Sequence, residues 1–248
     1  MAHGGHRGTS PQALERDAMT RLLASVTGPA EARVARSAGA DIIDMKDPSA
    51  GALGALPLER IRLCVEGLGG HPSSATVGDL PPDAGLVADA VAATAATGVK
   101  YVKVGLFDSR AYGTCIEALA RETTGGLRLI AVLFADLDPD PASLPALAAA
   151  GFAGVMLDTA HKAQGGLRIH MSADQIGRFV AQARTLGLLC GLAGSLRMED
   201  IPALLALQPD YLGFRTALCQ RRRRDGHIDP AAVCAIRETL DRSCAHRR

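Results

Sequence analysis

Eight short apolar runs alternate with helical segments along most of the chain, and that alternation constrains the fold more than any other feature. The runs are Leu22–Val26, Asp41–Lys46, Ser74–Gly78, Tyr101–Leu106, Leu129–Ala135, Gly154–Asp158, Leu188–Ala193 and Tyr211–Arg215. Between them lie Pro29–Ala38, Leu58–Leu68, Asp83–Thr97, Ala111–Thr123, Pro141–Ala150, Ala173–Leu186 and Met198–Leu207, rich in Ala, Leu and Arg. Ser172 and Gln175 have the spacing of a capping box. Gly39, Gly98, Gly151 and Gly187 stand where a helix C-cap favours left-handed backbone. Strands joined through helices run parallel. Eight such units on one core predict a single α/β domain, a (β/α)8 barrel. An open doubly wound sheet is the rival, but no G-x-G-x-x-G follows the first run.

Composition narrows the function. The chain has 248 residues, is 48% hydrophobic and carries a net charge of +1. That is enough apolar material for a large core, with no general attraction to nucleic acid or membrane. Aromatics are 3%, too few for a base-stacking platform. No apolar run reaches the ~18 residues of a membrane span, and the first residues lack the apolar stretch of a secretory signal. The six cysteines are scattered without a C-x-x-C pair and read as reduced thiols. A cytoplasmic protein is expected, with no cofactor and no metal site. Residues 1–18 read as a flexible leader, 19–220 as the barrel, and 221–248 as a basic C-terminal segment with a final helix. Arg221–Arg224 is the one charge run, either a solvated helix end or an anion contact at a subunit edge. On that run rests a non-enzymatic rival, a phosphate-ligand sensor or nucleic-acid-associated protein. Ala-rich barrels commonly assemble, so a homo-oligomer is expected.

In a barrel of this kind the chemistry gathers at the C-terminal strand ends. Alternation puts Ile43 and Met45 toward the helices, leaving Ile42, Asp44 and Lys46 toward the barrel axis. The same rule turns Tyr101, Lys103 and Gly105 inward, and Met156 with Asp158. Asp136 follows the fifth run, and Lys162 follows the sixth. Only four of the 27 basic side chains are lysine, at 46, 100, 103 and 162. Three of these fall at the expected mouth. A guanidinium stays protonated, whereas a desolvated lysine amine can form an imine or move a proton. Plainer readings stay open beside this: Lys46 paired with Asp44 or Asp47, Lys103 a counter-ion for Asp158, Lys100 and Lys162 on the surface. Asp44, Asp136 and Asp158 are costly inside a barrel unless cations face them. After the seventh run, Gly194 and Ser195 lie in a small-residue turn, and the eighth ends in Gly213-Phe-Arg215. Such turns let backbone N–H groups approach a phosphate, with Ser195 and Arg215 adding donors; otherwise the glycines simply permit tight turns. Together these residues describe a barrel enzyme for a phosphorylated carbonyl compound.

Five strings sharpen that reading: Ala40-Asp-Ile-Ile-Asp-Met-Lys-Asp-Pro48, Ser74-Ala-Thr-Val-Gly-Asp79, Tyr101-Val-Lys-Val-Gly-Leu106, Met156-Leu-Asp-Thr-Ala160 with Lys162, and Leu192-Ala-Gly-Ser195. In this order they resemble the (5-formylfuran-3-yl)methyl phosphate synthases of methanofuran biosynthesis, also called 4-(hydroxymethyl)-2-furancarboxaldehyde-phosphate synthases. The resemblance runs from Leu22 to Cys219. It implies a TIM barrel and a lyase that joins two glyceraldehyde 3-phosphate molecules into a furan, losing phosphate and water. It also implies Lys46 as the Schiff-base lysine, Lys103 as the proton acceptor, and Asp44, Asp158 and Lys162 as active-site members. Asp47 stands where archaeal relatives are expected to carry Asn, and the segment Leu137–Ala150 looks shorter than theirs. A generic class I aldolase-type lyase on triose phosphates is the alternative enzyme.

Overall fold

The computed structural model describes residues 19–107 and 112–245. The expected leader, the start of the helix expected from Ala111 and the last residues of the chain lie outside them. The chain order is β1 (Arg21–Val26), α1 (Pro29–Ser37), β2 (Ile42–Met45), α2 (Leu58–Leu68), β3 (Ser73–Thr76), α3 (Ala84–Ala95), β4 (Tyr101–Leu106), α4 (Tyr112–Thr124), β5 (Leu129–Phe134), α5 (Ser143–Ala149), β6 (Gly154–Asp158), α6 (Leu167–His170), α7 (Ala173–Thr185), β7 (Leu189–Leu192), α8 (Ile201–Leu205), β8 (Tyr211–Phe214) and α9 (Pro230–Ala245). All eight strands are parallel and close on themselves, with β1 paired to both β2 and β8.

Alternation along the strands separates two apolar layers. Ile43, Met45, Val102, Val104 and Val155 point outward and pack under the helices. Leu23, Ile42, Tyr101, Ile130, Val132, Phe134, Met156 and Tyr211 fill the barrel interior. Each fully buried aliphatic side chain of this kind contributes about 1.5–3 kcal/mol. The final helix belongs to the same outer layer, because Val233, Ile236 and Leu240 are fully buried within it.

Local signals act where the sequence places them. Ser172 caps α7, with Gln175 bonding back to complete the capping box. Asp83 caps α3 by accepting from Leu86 N–H. Gly39, Gly98, Gly151 and Gly187 all have positive φ. Two segments depart from expectation. The helix expected over Met198–Leu207 is a 3-10 turn at Met198–Asp200 followed by α8 alone. Pro202 sits in the first turn of α8, where its missing N–H costs nothing. The four-residue α6 was not anticipated, being too short to show a helical period.

Candidate active site

The lysines and aspartates form one chain of alternating charge across β4, β2, β6 and the loop after β6. Parallel register places Ser25, Asp44 and Ser74 side by side on β1, β2 and β3. Ser25 Oγ donates to Asp44 Oδ2 at 3.0 Å and Ser74 Oγ to Oδ1 at 2.6 Å. Lys103 Nζ lies 2.9 Å from the same Oδ1. Lys46 Nζ stands 3.9 Å from Asp158 Oδ2. The other oxygen of Asp158 accepts from Lys162 Nζ, and from Thr159 N–H at 2.7 Å. Lys46 and Asp44 act on each other through space, so the order is Lys103, Asp44, Lys46, Asp158, Lys162, with Lys46 at the centre.

Burial gives this array its chemistry. Asp44 is fully buried and Lys103 is 2% exposed. Burial pushes the Asp44 carboxyl up, but the charges of Lys103 and Lys46 and the Ser74 hydroxyl outweigh it and hold it ionised below its usual range. Asp158 is likewise raised by burial and pulled further down, to about 2, by Lys162 and Lys46. Lys46 moves the other way. Burial is the largest cause, the neighbouring charges of Lys162 and Lys103 add to it, and Asp158 and Asp44 oppose it; the amine is lowered to about 8. A lysine with that pKa is neutral in roughly one molecule in ten at pH 7. The ion-pair partners differ from the plainer expectations: Lys103 faces Asp44 rather than Asp158, and Asp47 is held by Ser49.

The groups also lie at two depths. Lys46, Asp158 and Lys162 line a mouth cavity of about 410 Å³ with Ser25, Gly194, Ser195, Gly213, Thr216 and Arg224. Lys103 does not. It lines a cavity of about 380 Å³ toward the N-terminal strand ends, with Ser74, Tyr101 and Tyr211. The reason is visible on β4. Gly105, the next inward position above Lys103, carries no side chain, and Leu53 and Phe107 occupy that space. The Phe107 ring stacks on Phe134 at 4.2 Å, so an apolar roof lies over Lys103.

Two expected residues serve other purposes. Asp136 touches no lysine among the described residues. Its carboxylate accepts from Ala160 N–H and His161 N–H, each at 2.7 Å, and so fixes the loop that carries Lys162. Arg215 also borders the mouth cavity, but its donors are engaged within the protein. Its Nη1 lies 2.6 Å from Glu31 Oε2, and the guanidinium also bonds the carbonyls of Ser25, Arg224 and Gly226. A buried guanidinium needs a carboxylate partner, and α1 supplies one.

The small-residue turn after β7 is shaped for close approach. Gly194 has φ +98°, and an added Cβ would come within 3.1 Å of Thr159. A Cβ at Gly213 would meet Met156 at 2.9 Å, so only glycine keeps that wall of the cavity back. Three contributors were not foreseen as such. Ser25 is signalled only by being polar at an inward position of β1. Asp79 accepts from Ala52 and Leu53 N–H at 2.8 and 2.7 Å and anchors the loop after β2. Arg224 reaches the mouth from the charge run beyond β8.

A family model described as 4-HFC-P synthase matches residues 22–237. A Methylorubrum extorquens protein provisionally named (5-formylfuran-3-yl)methyl phosphate synthase is 46% identical over 224 residues, covering 90% of this chain and 92% of that protein. The (5-formylfuran-3-yl)methyl phosphate synthase of Methanopyrus kandleri is 40% identical over 233 residues, covering 89% and 98%. Among solved structures, 3-keto-L-gulonate-6-phosphate decarboxylase from Vibrio cholerae superposes with a TM-score of 0.65 at 13% identity, covering 90% of this chain and 98% of that one. That likeness shows the barrel alone. No helix among the described residues is long and apolar enough to cross a membrane.

Proposed function

The chain belongs to the 4-HFC-P synthase family, and from that premise we propose that it condenses two molecules of glyceraldehyde 3-phosphate to (5-formylfuran-3-yl)methyl phosphate through an imine on Lys46. One observation carries this reading. Lys46 is the central cation of the buried array, is lowered to about 8, and faces a cavity bordered by the Gly194–Ser195 turn. An amine so placed is nucleophilic near neutral pH without a separate base.

The steps follow the geometry. The neutral amine of Lys46 adds to the carbonyl of one triose phosphate and releases water, giving an imine. Asp158 stabilises its protonated form as it stabilised the ammonium. Lys103 takes the α proton in the role that the family resemblance implies, which requires the Leu53 and Phe107 roof to move aside, and Asp44, 2.9 Å away, holds the charge that forms. The enamine attacks the aldehyde of the second triose. Lys162, bonded to Asp158 and 3.3 Å from Thr159 Oγ1, supplies protons to departing oxygens at the mouth. Cyclisation and loss of phosphate and water give the aromatic ring, and hydrolysis of the imine releases the aldehyde and restores the Lys46 amine. Gly194, Ser195 and Gly213 form the wall against which a phosphate rests. The reaction draws on this chain's own side chains for each proton transfer.

The test is product identity. Incubation with glyceraldehyde 3-phosphate is expected to release inorganic phosphate in step with a new near-ultraviolet absorbance from a furan aldehyde. Consumption of substrate without absorbance or phosphate release would leave the class I aldolase reading instead.

A further inference from the structure

Arg215, the guanidinium expected to meet a phosphate, has spent its donors inside the protein. Nε bonds Arg224 O at 3.0 Å, Nη1 bonds Ser25 O and Glu31 Oε2, and Nη2 bonds Gly226 O at 2.8 Å with Glu31 Oε1 at 3.4 Å. Two of those acceptors are main-chain carbonyls of the turn after β8. Arg215 therefore pins residues 224–226 against the barrel. The pinned turn presents one arginine of the charge run to the mouth. Arg221 and Arg222 are exposed, and Arg223 pairs with Asp225 in solvent. Arg224 is half-buried and lines the cavity that holds Lys46 and Gly194. Its Nη2 donates to Gly51 O of the β2–α2 loop at 2.9 Å.

The charge balance at the mouth then singles it out. Lys46 and Lys162 share Asp158, and Arg215 has Glu31. Among the described residues, Arg224 makes no ion pair within 4.0 Å, although Asp158, Asp79 and Asp47 lie near enough to act on it through space. Nor do the amides of Gly194 and Ser195 find an acceptor among the described residues. A planar, charged fork and two amides without an acceptor, all on residues that border one cavity, match a phosphate monoester dianion.

We propose that Arg224 grips the phosphate of the substrate at the mouth, in the place the sequence assigns to Arg215. This rests on reading the cavity as a site for a phosphorylated carbonyl compound. Gripping accounts for two features together: Arg224 borders the same cavity as the small-residue turn, and Arg215 holds the turn that carries it.

The experiment has two arms, each with wild type, Arg224→Ala, Arg224→Lys and, as control, Arg222→Ala. The first titrates inorganic phosphate calorimetrically. The expected result is binding at least tenfold weaker in Arg224→Ala, intermediate loss in Arg224→Lys, and wild-type affinity in Arg222→Ala. The second measures borohydride trapping on Lys46 at subsaturating glyceraldehyde 3-phosphate and, separately, glyceraldehyde. Arg224→Ala is expected to slow trapping of the phosphorylated aldehyde at least tenfold and leave the unphosphorylated one unchanged. Wild-type phosphate affinity in Arg224→Ala, or no phosphate binding by the wild type, overturns the proposal. So does equal slowing with both aldehydes, which is what a role confined to holding Gly51 would produce. Failure of the imine reading would show differently, as absence of a Lys46 adduct in wild type with either aldehyde, while the phosphate titration still decides the role of Arg224.

Discussion

On the β2–β4–β6 side of the barrel, charge is carried on the strands and buried: Asp44, Lys103 and Asp158 are each at most 2% exposed. On the β7–β8 side the inward strand positions Leu189, Gly191, Tyr211 and Gly213 carry no charge, and the charged groups come from beyond the strands. The first side is set by strand alternation and register, which leave a side chain one direction to point. The second is set by which partner captures a side chain after its strand has ended. Arg215 is captured by Glu31 although it borders the cavity, and Arg224, nine residues later, borders it with no carboxylate partner among the described residues. A residue inside a strand can be placed from its neighbours in sequence; a residue after a strand end is placed by the rest of the fold.

That contrast separates the effects of substitution. Lys46→Arg keeps the charge but cannot form an imine, so turnover is expected to fall about 10⁴-fold or more in a phosphate-release assay, with the fold intact. Asp44→Asn leaves Lys103 buried without its counter-ion. We expect turnover to fall about 10²–10³-fold, together with a loss of about 3–5 kcal/mol in denaturant unfolding. On the other side, Arg215→Met removes a buried pair and leaves Glu31 unpaired, so a stability loss of similar size is expected. Its signature differs: trapping of unphosphorylated glyceraldehyde on Lys46 should survive under folding conditions. An equal loss of trapping in both variants would break the comparison.

The smallest effect expected is with pH. Because burial lowers Lys46 to about 8, its neutral fraction rises as pH increases through that value. The trapping rate on wild type should therefore climb roughly tenfold between pH 7 and 9 and then level off. Asp158, held at about 2, stays ionised throughout that range and should add no step. A rate still rising steeply above pH 9 would mean that Lys46 is not depressed.

Much of the charged array was legible because alternation has a period of two and the strands were correctly phased. Asp44, Lys46, Lys103 and Asp158 all point inward as expected. Depth was less legible. Lys103 was expected at the mouth, but the roof of Leu53 and Phe107 over it comes from loops whose paths the strand pattern does not specify. Pairing was not legible either: whether Asp44 or Asp158 faces Lys103 depends on the register between strands. Asp136 illustrates the same limit. Its position after β5 was read correctly, but its carboxylate turns to the amides of the next loop. The run Arg221–Arg224 was noticed for its charge, and only the folded turn distinguishes Arg224 from its three neighbours.

The most direct test of the central claim is intact-mass spectrometry after borohydride reduction in the presence of glyceraldehyde 3-phosphate, followed by peptide mapping. The account predicts one reduced triose-phosphate adduct per chain, located on Lys46 and absent in Lys46→Arg. An adduct located on Lys103 or Lys162, or a folded and active wild type that gives no adduct, would contradict it.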